Sequence, residues 1–115
     1  GNRAAKANLE RARLQLQQSD LALRSQELAV VTQVTDAGLA VNDSFLQVQA
    51  AQRSREVAER SAEIEFIRFR VGASTNYEVT QAQSDLTSSR LSELQALFNY
   101  VNSIAQFELV TRVGG

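Results

Sequence analysis

The stretch Val71-Gly72-Ala73-Ser74-Thr75-Asn76, flanked by Arg68-Phe69-Arg70 and Tyr77-Glu78-Val79, is the one convincing interruption of helical sequence between the two ends of the chain. Gly72 is placed to take the left-handed conformation that closes a helix, which costs glycine no side-chain clash. Three residues on, Thr75-Asn76-Tyr77-Glu78 matches a capping box, in which a threonine hydroxyl and a glutamate carboxylate satisfy free amides at the start of a helix. Stop and start signals this close predict two helices that are antiparallel and adjacent. There is no proline anywhere, so the commonest helix breaker is missing.

Working outward, the sequence predicts an all-α fold: a long antiparallel coiled-coil hairpin with a first helix over about 2–70, a tip at 71–75 and a second helix over about 76–110. At 1.5 Å per residue the first helix is a rod of roughly 100 Å. In its distal half Val31, Val34, Val41, Phe45, Val48, Ala62, Phe66 and Phe69 follow a three-four alternation that keeps one seam towards a partner helix. Nearer the start two heptad stripes appear, Leu9-Leu16-Leu23 and Leu14-Leu21-Leu28, which predicts neighbours on two sides. The second helix carries Ala82, Leu86, Leu94, Leu97, Val101 and Ile104, joined late by Phe98, Tyr100, Phe107 and Leu109.

Gly38 offers an alternative. Glycine costs about 1 kcal/mol against alanine inside a helix and is favoured just past helix ends, so a break there would yield a compact three-helix bundle. Continuity is the preferred reading, because Val34, Gly38, Val41 and Phe45 keep their spacing with no residues left for a turn. Gly38 then marks the close approach of a neighbouring helix. The second helix reaches about as far as Gly38, which leaves the stripes of residues 9–30 without a partner in this chain, and exposed stripes of that extent predict association.

Composition excludes several functions. A net charge of −1, with both signs scattered evenly, gives no basic stripe for nucleic acid. With no histidine and no cysteine the usual general bases, thiol nucleophiles and soft-metal ligands are missing, so neither an enzyme nor a cofactor or metal site is expected. Glu63 and Glu65 point in different directions on a helix and read as solvated surface. No apolar run approaches the roughly 18 residues of a membrane helix, and no signal peptide opens the chain. Its first residues, Gly1-Asn2-Arg3, suggest a processed product or a fragment, and Gly114-Gly115 is equally a native ending or an added tail. Amides and hydroxyls such as Gln33, Asn42, Gln47 and Gln49 along the first helix fit either an ordinary wet face or the wall of a wide water-filled space.

Arg68-Phe69-Arg70-Val71-Gly72, then Asn76-Tyr77-Glu78-Val79 and Gln81-Ala82-Gln83-Ser84-Asp85-Leu86, resembles the tip and returning helix of TolC-type outer-membrane efflux proteins. The likeness extends to Asn99-Tyr100 and 105–109, and back through 37–51 to Arg3-Ala4-Ala5. It implies that residues 1–115 are one periplasmic hairpin of the α-helical barrel of a trimer, without the outer-membrane β-strands, in a Gram-negative-type envelope. It further implies that Val71, Gly72 and Ala73, with the small Ser74 beside them, meet a periplasmic adaptor protein, which links the channel to an inner-membrane pump for export of small molecules. Family members commonly place acidic residues beside the tip, lining the closed end of the channel. Glu78 matches one such position and Gln81 stands at the second, so the pair is a candidate gate, with the capping box as the structural role open to Glu78. A coiled-coil hairpin of the adaptor itself is the alternative within the same machinery, although Val-Gly-Ala lacks the Arg, Leu and Ser pattern of such tips.

Overall fold

The computed structural model describes residues 1–114; Gly115 lies outside the described residues. Two helices make up the fold, α1 (Asn2–Arg70) and α2 (Asn76–Gly114), joined by the turn at 71–75. They form one antiparallel hairpin measuring 105 × 22 × 13 Å, a plank one helix thick. The turn falls where the sequence signals put it. Both predicted starts and the end at Arg70 are matched, while α2 runs four residues past the expected 110, to Gly114.

α1 is unbroken through Gly38, which excludes the three-helix arrangement. The reason lies opposite: a Cβ built on Gly38 would stand 3.6 Å from the Phe107 ring of α2. The glycine therefore sits under an aromatic ring that crosses the interface. α2 covers α1 only a little beyond this point. Val30 is the first half-buried residue, and residues 1–29 are all exposed, the leucines of both proximal stripes included.

The seam between the helices differs in phase from the one predicted. On α1 the covered positions are Val30, Val34, Ala37, Val41, Ser44, Val48, Ala51, Arg55, Ala58, Ala62 and Glu65, a strict alternation of four and three. On α2 they are Val79, Ala82, Leu86, Ser89, Glu93, Ala96, Tyr100, Ser103, Phe107 and Val110, with Ile104 and Thr111 half-buried beside them. Val34, Val41, Val48, Ala62, Ala82 and Leu86 lie in it as expected, and Ile104 is half-buried beside Ser103. Val31, Phe45 and Phe66 each lie one residue past a seam position and are exposed on the flank, as are Leu94, Leu97 and Val101 on α2; Phe69 lies beyond the last covered position, also exposed.

Ala and Ser alternate along the seam with Val, Leu86, Tyr100 and Phe107, while Phe45, Phe66, Leu94 and Val101 lie beside it. Ser44 and Glu65 find polar partners at their seam positions: Ser44 Oγ lies 2.7 Å from Ser103 Oγ of α2, and the Glu65 carboxylate accepts from the Ser74 hydroxyl of the turn. A buried polar group that is paired this way avoids the cost of an unmet hydrogen bond. Few large groups are enclosed; Leu86, 6% exposed, is the largest in the core. Such a helix pair draws little stability from its own packing.

Candidate functional site

The tip is built by backbone hydrogen bonds before any side chain takes part. At the end of α1 the Ala73 N–H donates to the Arg68 carbonyl (2.8 Å) and the Gly72 N–H to the Phe69 carbonyl (3.1 Å). This is the paired pattern of a Schellman stop, with Gly72 in the left-handed region at φ +78°. A Cβ at Gly72 would meet nothing within 4 Å, so the requirement for glycine is conformational, and its surface is open. Arg68 adds a clamp, its guanidinium donating to the Ala73 carbonyl at 3.2 Å. α2 then begins as the capping box predicts on the threonine side, the Glu78 N–H donating to Thr75 Oγ1 at 3.2 Å.

Of the residues singled out in the sequence, Val71, Gly72 and Ala73 form the exposed extremity. Val71 is 74% exposed and neighbouring Tyr77 76%, the two most exposed large apolar side chains among the described residues. Ser74 faces inward instead. It is half-buried, and its single hydroxyl stands between the Glu65 and Glu78 carboxylates, 2.7 Å from Glu78 Oε2. Glu78 is thus anchored to the turn. The Ser74 hydroxyl, helped by the Thr75 backbone N–H and the charge of Arg68, holds its carboxyl below the usual range, against the opposing effect of desolvation. Gln81 is exposed and donates to Asp85 at 3.2 Å. Glu78, Gln81 and Asp85 line one shallow groove with Glu65, Arg68 and Tyr77.

That groove belongs to a longer surface. On α2 the positions Glu78, Gln81, Asp85, Ser88, Ser92, Gln95, Asn99, Asn102 and Gln106 recur at intervals of three and four, and all are exposed. None is apolar. Gln106 shares a groove with Gln33 and Asp36 of α1 at the far end, as Glu78 does with Arg68 near the tip, so one broad face of the plank carries the whole strip. The other broad face holds the Phe45–Tyr100 ring contact (centroids 5.7 Å apart) and the Glu59–Arg90 ion pair at 3.8 Å. The outer edge of α2 is apolar, with Leu91, Leu94, Phe98 and Val101 exposed, whereas that of α1 mixes exposed Leu39, Leu46, Val57, Ile64 and Ile67 with Arg53 and Arg60.

Sequence reasoning missed the polar pins of the seam. Arg55 Nε donates to Glu93 at 2.8 Å across the helices and its terminal nitrogen to Glu59 at 3.0 Å. Glu93 first, then Glu59, raises the guanidinium pKa further above its ordinary value. The signal was present as opposite charges at matching distances from the tip, but without the register it could not be told from surface charge.

The family described as Outer membrane efflux protein matches residues 3–111. No curated protein and no solved structure matches the chain. With almost the whole length covered, the chain belongs to the outer membrane efflux protein family, a family of channel and transport proteins.

Proposed function

We propose that the hairpin is one stave of the periplasmic α-helical channel of a trimeric outer-membrane efflux protein, docking through its tip onto a periplasmic adaptor for export of small molecules. The observation that carries this reading is the row of large apolar groups left exposed along both outer edges, unbroken by charge from Leu91 to Val101 on α2. A plank with exposed apolar groups along both edges and a polar broad face is suited to side-by-side repetition, which buries the edges and leaves the polar face towards water. The exposed leucines of residues 9–28 extend the same need for neighbours along the proximal half of α1.

The tip supplies the second half of the proposal. Val71 offers apolar surface, Gly72 lets another backbone approach, and Ala73 adds little bulk. Arg68, Ser74 and Thr75 hold the turn in one shape, so a partner meets a preformed surface and loses little affinity to ordering it. In the outer-membrane assembly that carries this hairpin, Val71→Asp should abolish co-purification of the adaptor while trimers still form. Retained adaptor binding with lost export would place the docking surface elsewhere.

A further inference from the structure

α1 carries its seam pattern beyond the reach of α2, with a change of residue type. Counted back from Val34 by sevens, the first series of seam positions is Glu27, Asp20, Arg13 and Lys6. Counted back from Ala37, the second series is Val30, Leu23, Leu16 and Leu9. Where α2 lies opposite, the second series holds the small residues Ala37, Ser44, Ala51 and Ala58, whereas beyond Val30 it holds only leucine. The first series becomes wholly charged, cations at Lys6 and Arg13 and anions at Asp20 and Glu27. All of these residues beyond Val30 are exposed. Among the described residues Lys6, Glu10, Arg13 and Glu27 make no ion pair, and Arg24 makes one only with Asp20 of its own helix, at 3.2 Å.

We propose that this stretch of α1 is an interface for a second copy of the chain, laid antiparallel about a twofold axis at Leu16. The hairpin's own seam supplies the register. Across it Arg55 meets Glu93 in the first series, Ser44 meets Ser103 in the second, and Glu59 meets Arg90 on the flank. These contacts fix how each row is offset from the next when two such helices run antiparallel. The same offsets set Lys6 against the partner's Glu27, Arg13 against the partner's Asp20 and Leu9 against the partner's Leu23. Leu16 meets its own counterpart, and on the flank Glu10 meets the partner's Arg24. Each leucine finds a leucine and each of these charges its opposite, every contact repeated by the symmetry. A parallel pair would set like charges together at Lys6, Arg13, Asp20 and Glu27, so charge selects the orientation. On the other flank Ala5, Ala12 and Ser19 are small and leave room for close approach. α2 covers α1 only as far as Val30, so the two contacts do not compete. The tips then point in opposite directions in a particle roughly 160 Å long, at 1.5 Å per residue. Staves of one channel share a direction, so this pair is a form of the chain outside the channel, covering the leucines until other neighbours replace it. The inference does not depend on the channel reading.

The test is the mass of the 115-residue chain in solution, by analytical ultracentrifugation over a range of concentrations. At high micromolar concentration it should be a dimer that dissociates on dilution. Lys6→Glu with Arg13→Glu makes the first series wholly acidic, and Asp20→Lys with Glu27→Lys makes it wholly basic. Each double variant alone should be monomeric, and an equimolar mixture should form the heterodimer, which also shows that both variants fold. The chain has no cysteine of its own, so disulfide linking reads the orientation. Leu16→Cys should oxidise to a linked dimer, Leu9→Cys alone should not, and Leu9→Cys mixed with Leu23→Cys should. A chain that stays monomeric at high micromolar concentration, or Leu9→Cys linking to itself as a parallel pair requires, overturns the inference. Neither result bears on adaptor docking at Val71, by which the channel reading is tested separately.

Discussion

Arg55 and Glu93, 38 residues apart in sequence, meet at 2.8 Å in the middle of the seam, where the helices otherwise touch through small side chains. Both side chains are largely covered, at 25% and 18% exposure, and Glu93 is the one partner of Arg55 that lies across the helices, its other bond going to Glu59 of its own helix. Arg55→Ala and Glu93→Ala should each lower the urea midpoint of the hairpin. The double variant should lose less than the sum of the two, the signature of direct coupling. Fully additive losses, followed by far-ultraviolet circular dichroism, would show that the pair contributes nothing specific.

The two internal glycines should respond to alanine with opposite signs. Gly38 lies inside a helix and an added Cβ would make ordinary contact with Phe107, so Gly38→Ala should stabilise by about 0.5–1 kcal/mol. Gly72 is held at φ +78°, where an L side chain costs roughly 1–2 kcal/mol, so Gly72→Ala should destabilise by about that amount. Urea unfolding of both variants decides the matter, and equal signs would contradict the assigned backbone.

Leu86 should be costly to truncate. It is 6% exposed, and Leu86→Ala leaves a cavity that, for a buried leucine, costs about 2–5 kcal/mol. Leu16, at 72% exposure, lies on the uncovered half of α1, and Leu16→Ala should change the stability of the dilute, monomeric chain by less than about 0.5 kcal/mol. Comparable losses at the two sites would mean that the chain already covers residues 9–28 by self-association, which mass determination would detect.

Helix limits and the turn were legible because their signals are local: Gly72, Thr75 and Glu78 act within a few residues of themselves. The seam was only half legible. Hydrophobicity points at Phe45, Phe66, Leu94 and Val101, whereas the seam takes Ser44, Glu65, Glu93 and Tyr100, each one residue earlier, the first three through polar partners that the sequence does not reveal. Large groups displaced from a tight interface are available to neighbours, so the same residues that misled the phase of the seam mark the outer surfaces. At the tip, the exposed trio Val71-Gly72-Ala73 could be read directly. The inward turn of Ser74 could not, since it depends on Glu65 returning from the preceding helix to meet it.

Acid should loosen the tip. Glu78 has its pKa lowered in the folded hairpin, chiefly by the Ser74 hydroxyl, so it binds its proton less readily folded than unfolded. Its contribution to stability is therefore complete above the unfolded carboxyl range and is lost as pH falls through the depressed folded value. Carbon-detected titration of the carboxyl should give a midpoint below the ordinary glutamate value for Glu78, and Ser74→Ala should move it upwards. An unshifted midpoint in the wild-type hairpin would remove the anchoring role given to Ser74.

The outer edge of α2 separates folding from assembly. Leu94 and Phe98 are 48% and 61% exposed, so placing a charge there removes little packing from the hairpin itself. Leu94→Asp and Phe98→Asp should alter the unfolding free energy of the isolated chain by no more than about 0.5 kcal/mol, the usual range for surface substitutions. In the full-length protein the same changes would bury an unpaired carboxylate against a neighbouring hairpin, which costs several kcal/mol unless the edge separates. Trimer yield on native gels should therefore collapse for both variants, whereas Gln95→Asp, adjacent in sequence but on the polar face, should assemble normally. Intact trimers carrying Phe98→Asp would show that this edge faces water in the assembly, and the side-by-side arrangement of staves would have to be abandoned.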